Sequence, residues 1–283
     1  MFKRSTLLAL TTIIGTGAAQ ADGHADVMGY ALADDGMTLV TMGRIGNPTA
    51  AMMFDLSVRI DAIAYRPVTG DLLGFSRAGA IYTIDTMSGE LTDLGAMFSD
   101  DAVIGGVAVA FDFNNAIDAV RAVGSDGANL VYFPADFADD RAGQVLRFTD
   151  AFYGDADVNT GTEPLIFANA YTNAISGATA ESTFQYALDA RTDALVGLAN
   201  NAGELTTVGT IMIDGEAADV VTAGGFDIVS PQEGTDAAFA ILQLAGAETS
   251  GLYSINLETA EATLLADLGL VGITGFAVSQ GGM

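Results

Sequence analysis

The sequence predicts an all-β protein, and three observations carry the prediction. Half of the residues are apolar, only 16% are charged, 34 are glycine, and no long stretch keeps a helical hydrophobic period. A strand–turn–strand pattern over residues 79–95 recurs in variants further along the chain. A small residue followed by Tyr or Phe returns five times, as Ala64-Tyr65, Ala110-Phe111, Ala170-Tyr171, Gly225-Phe226 and Gly275-Phe276. The steps between them, by subtraction, are 46, 60, 55 and 50 residues, the length of a four-stranded blade. The class is therefore a β-propeller of five four-stranded blades. An incomplete six-bladed ring and a large β-sandwich are the alternatives.

The chain opens with the layout of an export signal. Lys3 and Arg4 form a charged start, residues 7–14 a short apolar run, and Ala19-Gln20-Ala21 a small-x-small cleavage site. The apolar run falls short of the ~20 residues that span a bilayer. The expectation is a signal peptide over residues 1–21, export to the periplasm or beyond the cell, and one domain over residues 22–283. No later segment is long and apolar enough to span a membrane.

Cleavage after Ala21 removes two of the ten basic residues and no acid, leaving 8 basic against 36 acidic residues, a net charge of −28. Lys3 is the only lysine. Such a surface repels nucleic acid and anionic lipid. The partner expected is a small molecule or protein of unknown identity, and the chain reads as a monomer. With no cysteine, disulfides, thiol catalysis and Cys-ligated metals are excluded, so stability rests on the core. Roughly 260 residues suffice to bury one.

In chain order, residues 27–32, 37–42 and 51–56 read as the middle and outer strands of a blade without an inner strand. The last stretch, after Phe276, is long enough for one strand and would supply it, tying both ends into one sheet. The hairpin follows. Residues 81–84 (Ile-Tyr-Thr-Ile) are β-branched and aromatic, residues 85–89 (Asp-Thr-Met-Ser-Gly) carry turn chemistry, and residues 91–94 alternate apolar and polar. Residues 252–260 copy its first half and residues 203–209 its second. The copy after Phe111 is degenerate, with 129–133 its best strand.

Residues 63–70 (Ile-Ala-Tyr-Arg-Pro-Val-Thr-Gly), 72–75 (Leu-Leu-Gly-Phe) and 81–85 (Ile-Tyr-Thr-Ile-Asp) resemble the opening of the DUF4394 domain. Its members typically read D-x-R-P-x-T-G-x-L-Y-G and then L-Y-T-I-D. Residues 111–114 with Asp118 and Arg121 resemble the next block. Residues 157–161 with Pro164, then 170–173, resemble the third. Ala119 stands where the family often has a second Arg. The resemblance covers most of residues 37–279. It implies an exported bacterial propeller-like domain and supplies no activity.

Several constellations carry possible chemistry. Asp61, Asp112 and Asp227 lie near the inner-strand columns and are the catalytic candidates, as a carboxylate set facing a central channel. Asp112 and Asp227 each follow an aromatic, whereas Asp61 lies four residues before Tyr65, so a common level is not required. Asp155, Asp157 and Asn159, with Glu163, space oxygen ligands as a loose Ca²⁺ loop. It is not an EF-hand, because Thr160 and Ile166 occupy the places of its Gly and its bidentate Glu. The alternative is a turn whose side chains bond their own backbone.

His24 is the only histidine, third in the expected mature chain. A free amine, two amide nitrogens and an imidazole there would suit Cu²⁺ or Ni²⁺ in a square plane. A terminal histidine leaves catalytic triads without their base. Arg66, Arg121 and Arg191 are scarce cations among acids, expected to pair with carboxylates or to hold an anion. Arg121, on a strand, is expected to pair with Asp112 or Asp118, and Arg121 and Asp118 are the ligand-binding candidates. Residues 104–107 (Ile-Gly-Gly-Val) have neither the spacing nor the lysine of a phosphate loop. The functional expectation is a non-enzymatic binding or interaction module. The alternative is a carboxylate- and Ca²⁺-dependent hydrolase or lyase acting on a carbohydrate or ester.

Overall fold

The computed structural model describes residues 26–280. The expected signal peptide and His24 lie outside the described residues. The chain begins with β1 (Val27–Ala33), β2 (Thr38–Met42) and β3 (Ala51–Asp55). The next sheet comprises β4 (Ala62–Tyr65), β5 (Leu72–Ser76), β6 (Ala80–Ile84) and β7 (Leu91–Asp93). After β8 (Met97–Phe98) come β9 (Val109–Asn114), β10 (Ala119–Gly124), β11 (Asn129–Tyr132) and β12 (Gln144–Arg147). After β13 (Phe152–Tyr153) come β14 (Ile166–Tyr171), β15 (Gln185–Asp189), β16 (Ala194–Leu198) and β17 (Glu204–Thr210). A small hairpin, β18 (Met212–Ile213) and β19 (Glu216–Ala217), precedes β20 (Val220–Gln232), β21 (Thr235–Leu244), β22 (Ser250–Ile255) and β23 (Ala262–Leu270). The last strand is β24 (Gly275–Gln280).

These strands make five blades, each an antiparallel meander. The inner strands are β4, β9, β14, β20 and β24, and each touches the next around a closed ring. We call the face where inner strands begin the upper face and the face where they end the lower one. The last strand belongs to the first sheet: β24 pairs antiparallel with β1, with Val27 opposite Gln280 and Leu32 opposite Gly275. Two sheets exceed four strands. β8 runs parallel to β12, and β13 parallel to β17, because the segments crossing from one blade to the next lie along the outer edge of the blade they lead into. Those strands shield backbone groups that an open edge would expose.

The hairpin at 79–95 forms β6, its turn and β7. Asp85 Oδ1 accepts the Met87 N–H at 2.9 Å, and the Gly89 N–H donates to the Asp85 carbonyl at 2.8 Å with φ +74°. In the copy, Asn256 takes the aspartate's part, accepting the Glu258 N–H at 2.9 Å. Ala260 occupies the glycine's place at φ 61°.

Packing follows from the ring. One apolar cluster fills each of the five gaps between neighbouring blades. Phe75, Phe111, Phe113 and Tyr132 fill the gap between the β4–β7 and β9–β12 blades. Phe167, Phe226, Leu242 and Tyr253 fill that between the β14–β17 and β20–β23 blades. Every blade is thus buried on both faces, and its inner strand carries apolar residues at successive positions rather than alternate ones. Near the axis the strands come close enough to need glycine. A Cβ on Gly225 would lie 2.4 Å from the Phe276 backbone nitrogen. Gly225→Ala is expected to lower stability by about 1–3 kcal/mol, the usual range for overpacking. Urea unfolding would read it as a lower midpoint at unchanged slope; an unchanged midpoint would contradict this close approach.

Candidate functional site

Two small cavities lie along the axis, each about 10 Å³, room for about one water. The upper is lined by Ile63, Phe111, Asn169, Phe226 and Phe276, one from each inner strand. The aromatic column expected from the sequence is therefore displaced in two blades. Tyr65 and Tyr171 sit two residues further down their strands, and Ile63 and Asn169 take the axial level. Asn169 is 1% exposed, and neither of its amide atoms is hydrogen-bonded within the described residues.

The lower cavity brings two of the three expected carboxylates together, Asp112 and Asp227. Both are buried. Asp112 Oδ2 accepts the backbone N–H of Tyr171 in the next blade at 2.6 Å. Asp227 Oδ2 accepts that of Val278 in the next blade at 2.6 Å, and its Oδ1 that of Ile228 at 2.7 Å. Burial pushes Asp112 well above the ordinary carboxylate range, and the charge of Asp227 adds to the rise. Burial pushes Asp227 up to about 7, against the pull of its two N–H donors. The pair holds a proton that an isolated aspartate releases.

Among the described residues, Arg121 does not pair with a carboxylate. It stands opposite Asp112 in the β9–β10 register, yet Asp112 turns to the Tyr171 backbone while the guanidinium reaches the next blade. Its Nε donates to Tyr171 Oη at 2.8 Å, Nη1 to Asn129 Oδ1 at 2.5 Å and Nη2 to Asn201 Oδ1 at 2.7 Å. Neutral oxygens thus satisfy a cation that is 3% exposed, and burial pushes the Tyr171 phenol up to about 12 despite that cation. Asp118, the other expected partner, binds Arg66 instead. Arg66 donates to Asp118 at 2.8 and 2.5 Å and to Asp136 at 2.8 and 2.9 Å, joining two blades on the lower face. Arg191 is exposed.

The acidic loop at 155–163 is tied to β17. Asp157 Oδ2 accepts the Thr207 N–H at 2.6 Å, and its Oδ1 accepts the Asn159 N–H and the Thr207 hydroxyl, both at 2.8 Å. Burial acts to raise the Asp157 carboxyl, but these donors outweigh it and hold the group below its ordinary value. Asn159 Nδ2 donates to the same threonine hydroxyl at 3.0 Å. Asp155 and Glu163 are exposed, and among the described residues no three acidic or histidine side chains come together as a metal cage.

Asp61 is separated from the other two carboxylates. It lies on the upper face, in a pocket of about 430 Å³ between the first two complete blades. Residues 56–61 before β4, the end of β5 with residues 77–78 after it, Tyr82 on β6, and residues 99–108 before β9 build that pocket. Asp61 Oδ1 accepts from Arg59 Nε at 3.1 Å and from Arg77 Nε and Nη2 at 3.0 and 2.9 Å. Its Oδ2 accepts the Arg77 backbone N–H at 2.8 Å. Arg77 Nη1 donates to the Gly106 carbonyl. Sequence reasoning missed both arginines, because nothing local marks residues drawn from separate loops.

A family model described as a domain of unknown function matches residues 38–277. The chain belongs to the DUF4394 family. Its Arg-Pro-x-Thr-Gly motif now has a structural role. Gly70, at φ +84°, returns its N–H to the Arg66 carbonyl at 2.9 Å, and the arginine so placed bridges to Asp118 and Asp136.

Comparison of this DUF4394 chain with curated proteins finds no match. Among solved structures it is similar to PorZ, a surface component of the type-IX secretion system of Porphyromonas gingivalis, at 15% identity and TM-score 0.37, over 82% of this chain and 26% of that one. It is similar to a Bacteroides thetaiotaomicron protein of unknown function at 14% identity and TM-score 0.45, over 88% and 58%. An auxiliary nutrient binding protein of the same organism matches at 14% identity and TM-score 0.41, over 71% and 50%. The chain spans less than two thirds of each of the three. No helix among the described residues is long and apolar enough to cross a membrane.

The raised carboxyls of the DUF4394 ring make stability depend on pH. Between about pH 4 and pH 7 the folded chain keeps a proton that the unfolded chain has lost. This contribution is full below the unfolded value and is lost as pH rises through the folded one, so stability falls across that window. Asp227→Asn, neutral throughout, is expected to lose less stability than the wild type between about pH 4 and pH 7 in urea titrations. Parallel curves for the two proteins would contradict the assignment.

Proposed function

We propose that this DUF4394 protein is an exported, non-catalytic binding module that takes a small ligand in its upper-face pocket rather than along its axis. The observation that carries this is the room around the carboxylates. Acid pairs that cleave sugars stand on either side of the bond they break. Asp112 and Asp227 share about 10 Å³, and each accepts a backbone N–H from a neighbouring inner strand. Ile63, Phe111, Phe226 and Phe276, with Asn169, fill the axis above them. Asp61 has more space, but its Oδ1 is occupied by two guanidiniums.

The volume near Asp61 is of the size that holds small ligands, about 300–1,000 Å³. Export is supported by the signal-like layout of residues 1–21. The reading is tested by incubating the protein with a panel of polysaccharides and chromogenic esters, with and without added Ca²⁺. No turnover dependent on Asp112 or Asp227 is expected. Turnover abolished by Asp112→Asn or Asp227→Asn would overturn the reading in favour of a hydrolase.

A further inference from the structure

The upper-face pocket runs against the charge of the chain. Eight of the ten basic residues lie beyond the expected signal peptide, against 36 acids. Two of those eight, Arg59 and Arg77, line this one pocket, and among the described residues Asp61 is the one acid in its lining. The lining therefore carries one net positive charge, where the chain as a whole is strongly negative.

The two arginines differ in what they have left to give. Arg77 is committed: Nε and Nη2 go to Asp61, and Nη1 to the Gly106 carbonyl. Arg59 is held to Asp61 by Nε alone. Both of its Nη atoms are without a hydrogen-bond partner among the described residues, on a side chain that is 49% exposed. Nε fixes the guanidinium to Asp61 and leaves both Nη groups free on a residue that lines the pocket. That fork matches a carboxylate bidentately. Asp61 is already engaged, its Oδ1 by three donors and its Oδ2 by the Arg77 backbone N–H.

Apart from Ser76, the rest of the lining is made by Val58, Ala78, Tyr82 and Ile104. Val58, Tyr82 and Ile104 form the walls, and Val58 is 41% exposed. Val107, on the Ile104 loop, is 71% exposed. Resting on the reading of this chain as a binding module, we infer that the pocket binds a small monocarboxylic acid. Its carboxylate sits on the Nη fork of Arg59, and its compact apolar body lies against Val58, Tyr82 and Ile104. One net positive charge selects a single anionic group, and the apolar walls select against a free inorganic ion, which leaves them wet.

The test is calorimetric titration of the mature protein with benzoate, 4-methylbenzoate and cyclohexanecarboxylate, with 4-methylbenzamide and inorganic phosphate as controls. At least one acid is expected to bind one-to-one, about tenfold or more tighter than the amide and than phosphate. Arg59→Gln removes the fork without touching the core. It is expected to weaken acid binding about tenfold or more with an unchanged urea midpoint, and Arg59→Lys to restore part of the loss. Binding of none of the acids, equal binding of acid and amide, tighter binding of phosphate, or full affinity in Arg59→Gln would each overturn the assignment. None of those results involves turnover. They leave the non-catalytic reading standing, and that reading fails separately, on turnover that depends on Asp112 or Asp227.

Discussion

An inner strand of a propeller blade has one edge with no sheet partner, and here five such edges meet on an axis too narrow for bulk water. Buried backbone groups need partners, and leaving one without costs about 1–3 kcal/mol. Side chains from the same ring answer part of that need. Asp112 reaches from β9 to the Tyr171 N–H of β14, and Asp227 from β20 to the Val278 N–H of β24. The second link ties the last strand of the chain to the blade before it. The crowding that makes these links useful also demands glycine at Gly225 and Gly275, where a Cβ would meet the neighbouring backbone.

The same constraint explains the chemistry of the pair. Burial in a dry ring raises both carboxyls, and the charge of Asp227 raises Asp112 further. Raised carboxyls in an unknown protein invite a catalytic reading. Here Asp112 Oδ2 and both Asp227 oxygens accept backbone N–H groups, and the cavity beside them has room for about one water. Away from the axis, the Arg66–Asp118–Asp136 bridge and the Arg121–Tyr171–Asn129 network join neighbouring blades in the same way, with polar groups satisfied across the gaps that the apolar clusters fill. On the upper face, Arg59 is held to Asp61 by Nε with both Nη groups to spare.

The five-blade arrangement was legible because repeat length and the small–aromatic pairs report directly on inner strands. The level of each pair was not. Inner strands are buried on both faces, so Tyr65 and Tyr171 look as axial in sequence as Phe111 does, and period two cannot separate them. The common level of Asp112 and Asp227 was written in their shared Phe-Asp context, and the distance of Asp61 from them in its different context. The partner of Arg121 was misread because its opposite residue, Asp112, is drawn away by a backbone N–H from another blade. Asp136 as a partner of Arg66, 70 residues away, and the meeting of Arg59 with Arg77 depend on ring closure and left no local signal.

The central claim is that the buried carboxylates hold the ring together. Amide hydrogen exchange at Tyr171 and Val278 tests it most directly, in the wild type, Asp112→Ala and Asp227→Ala. The account predicts that both amides are protected in the wild type, that Asp112→Ala accelerates exchange at Tyr171 alone, and that Asp227→Ala accelerates it at Val278 alone. Unchanged protection at both amides in both variants would contradict it.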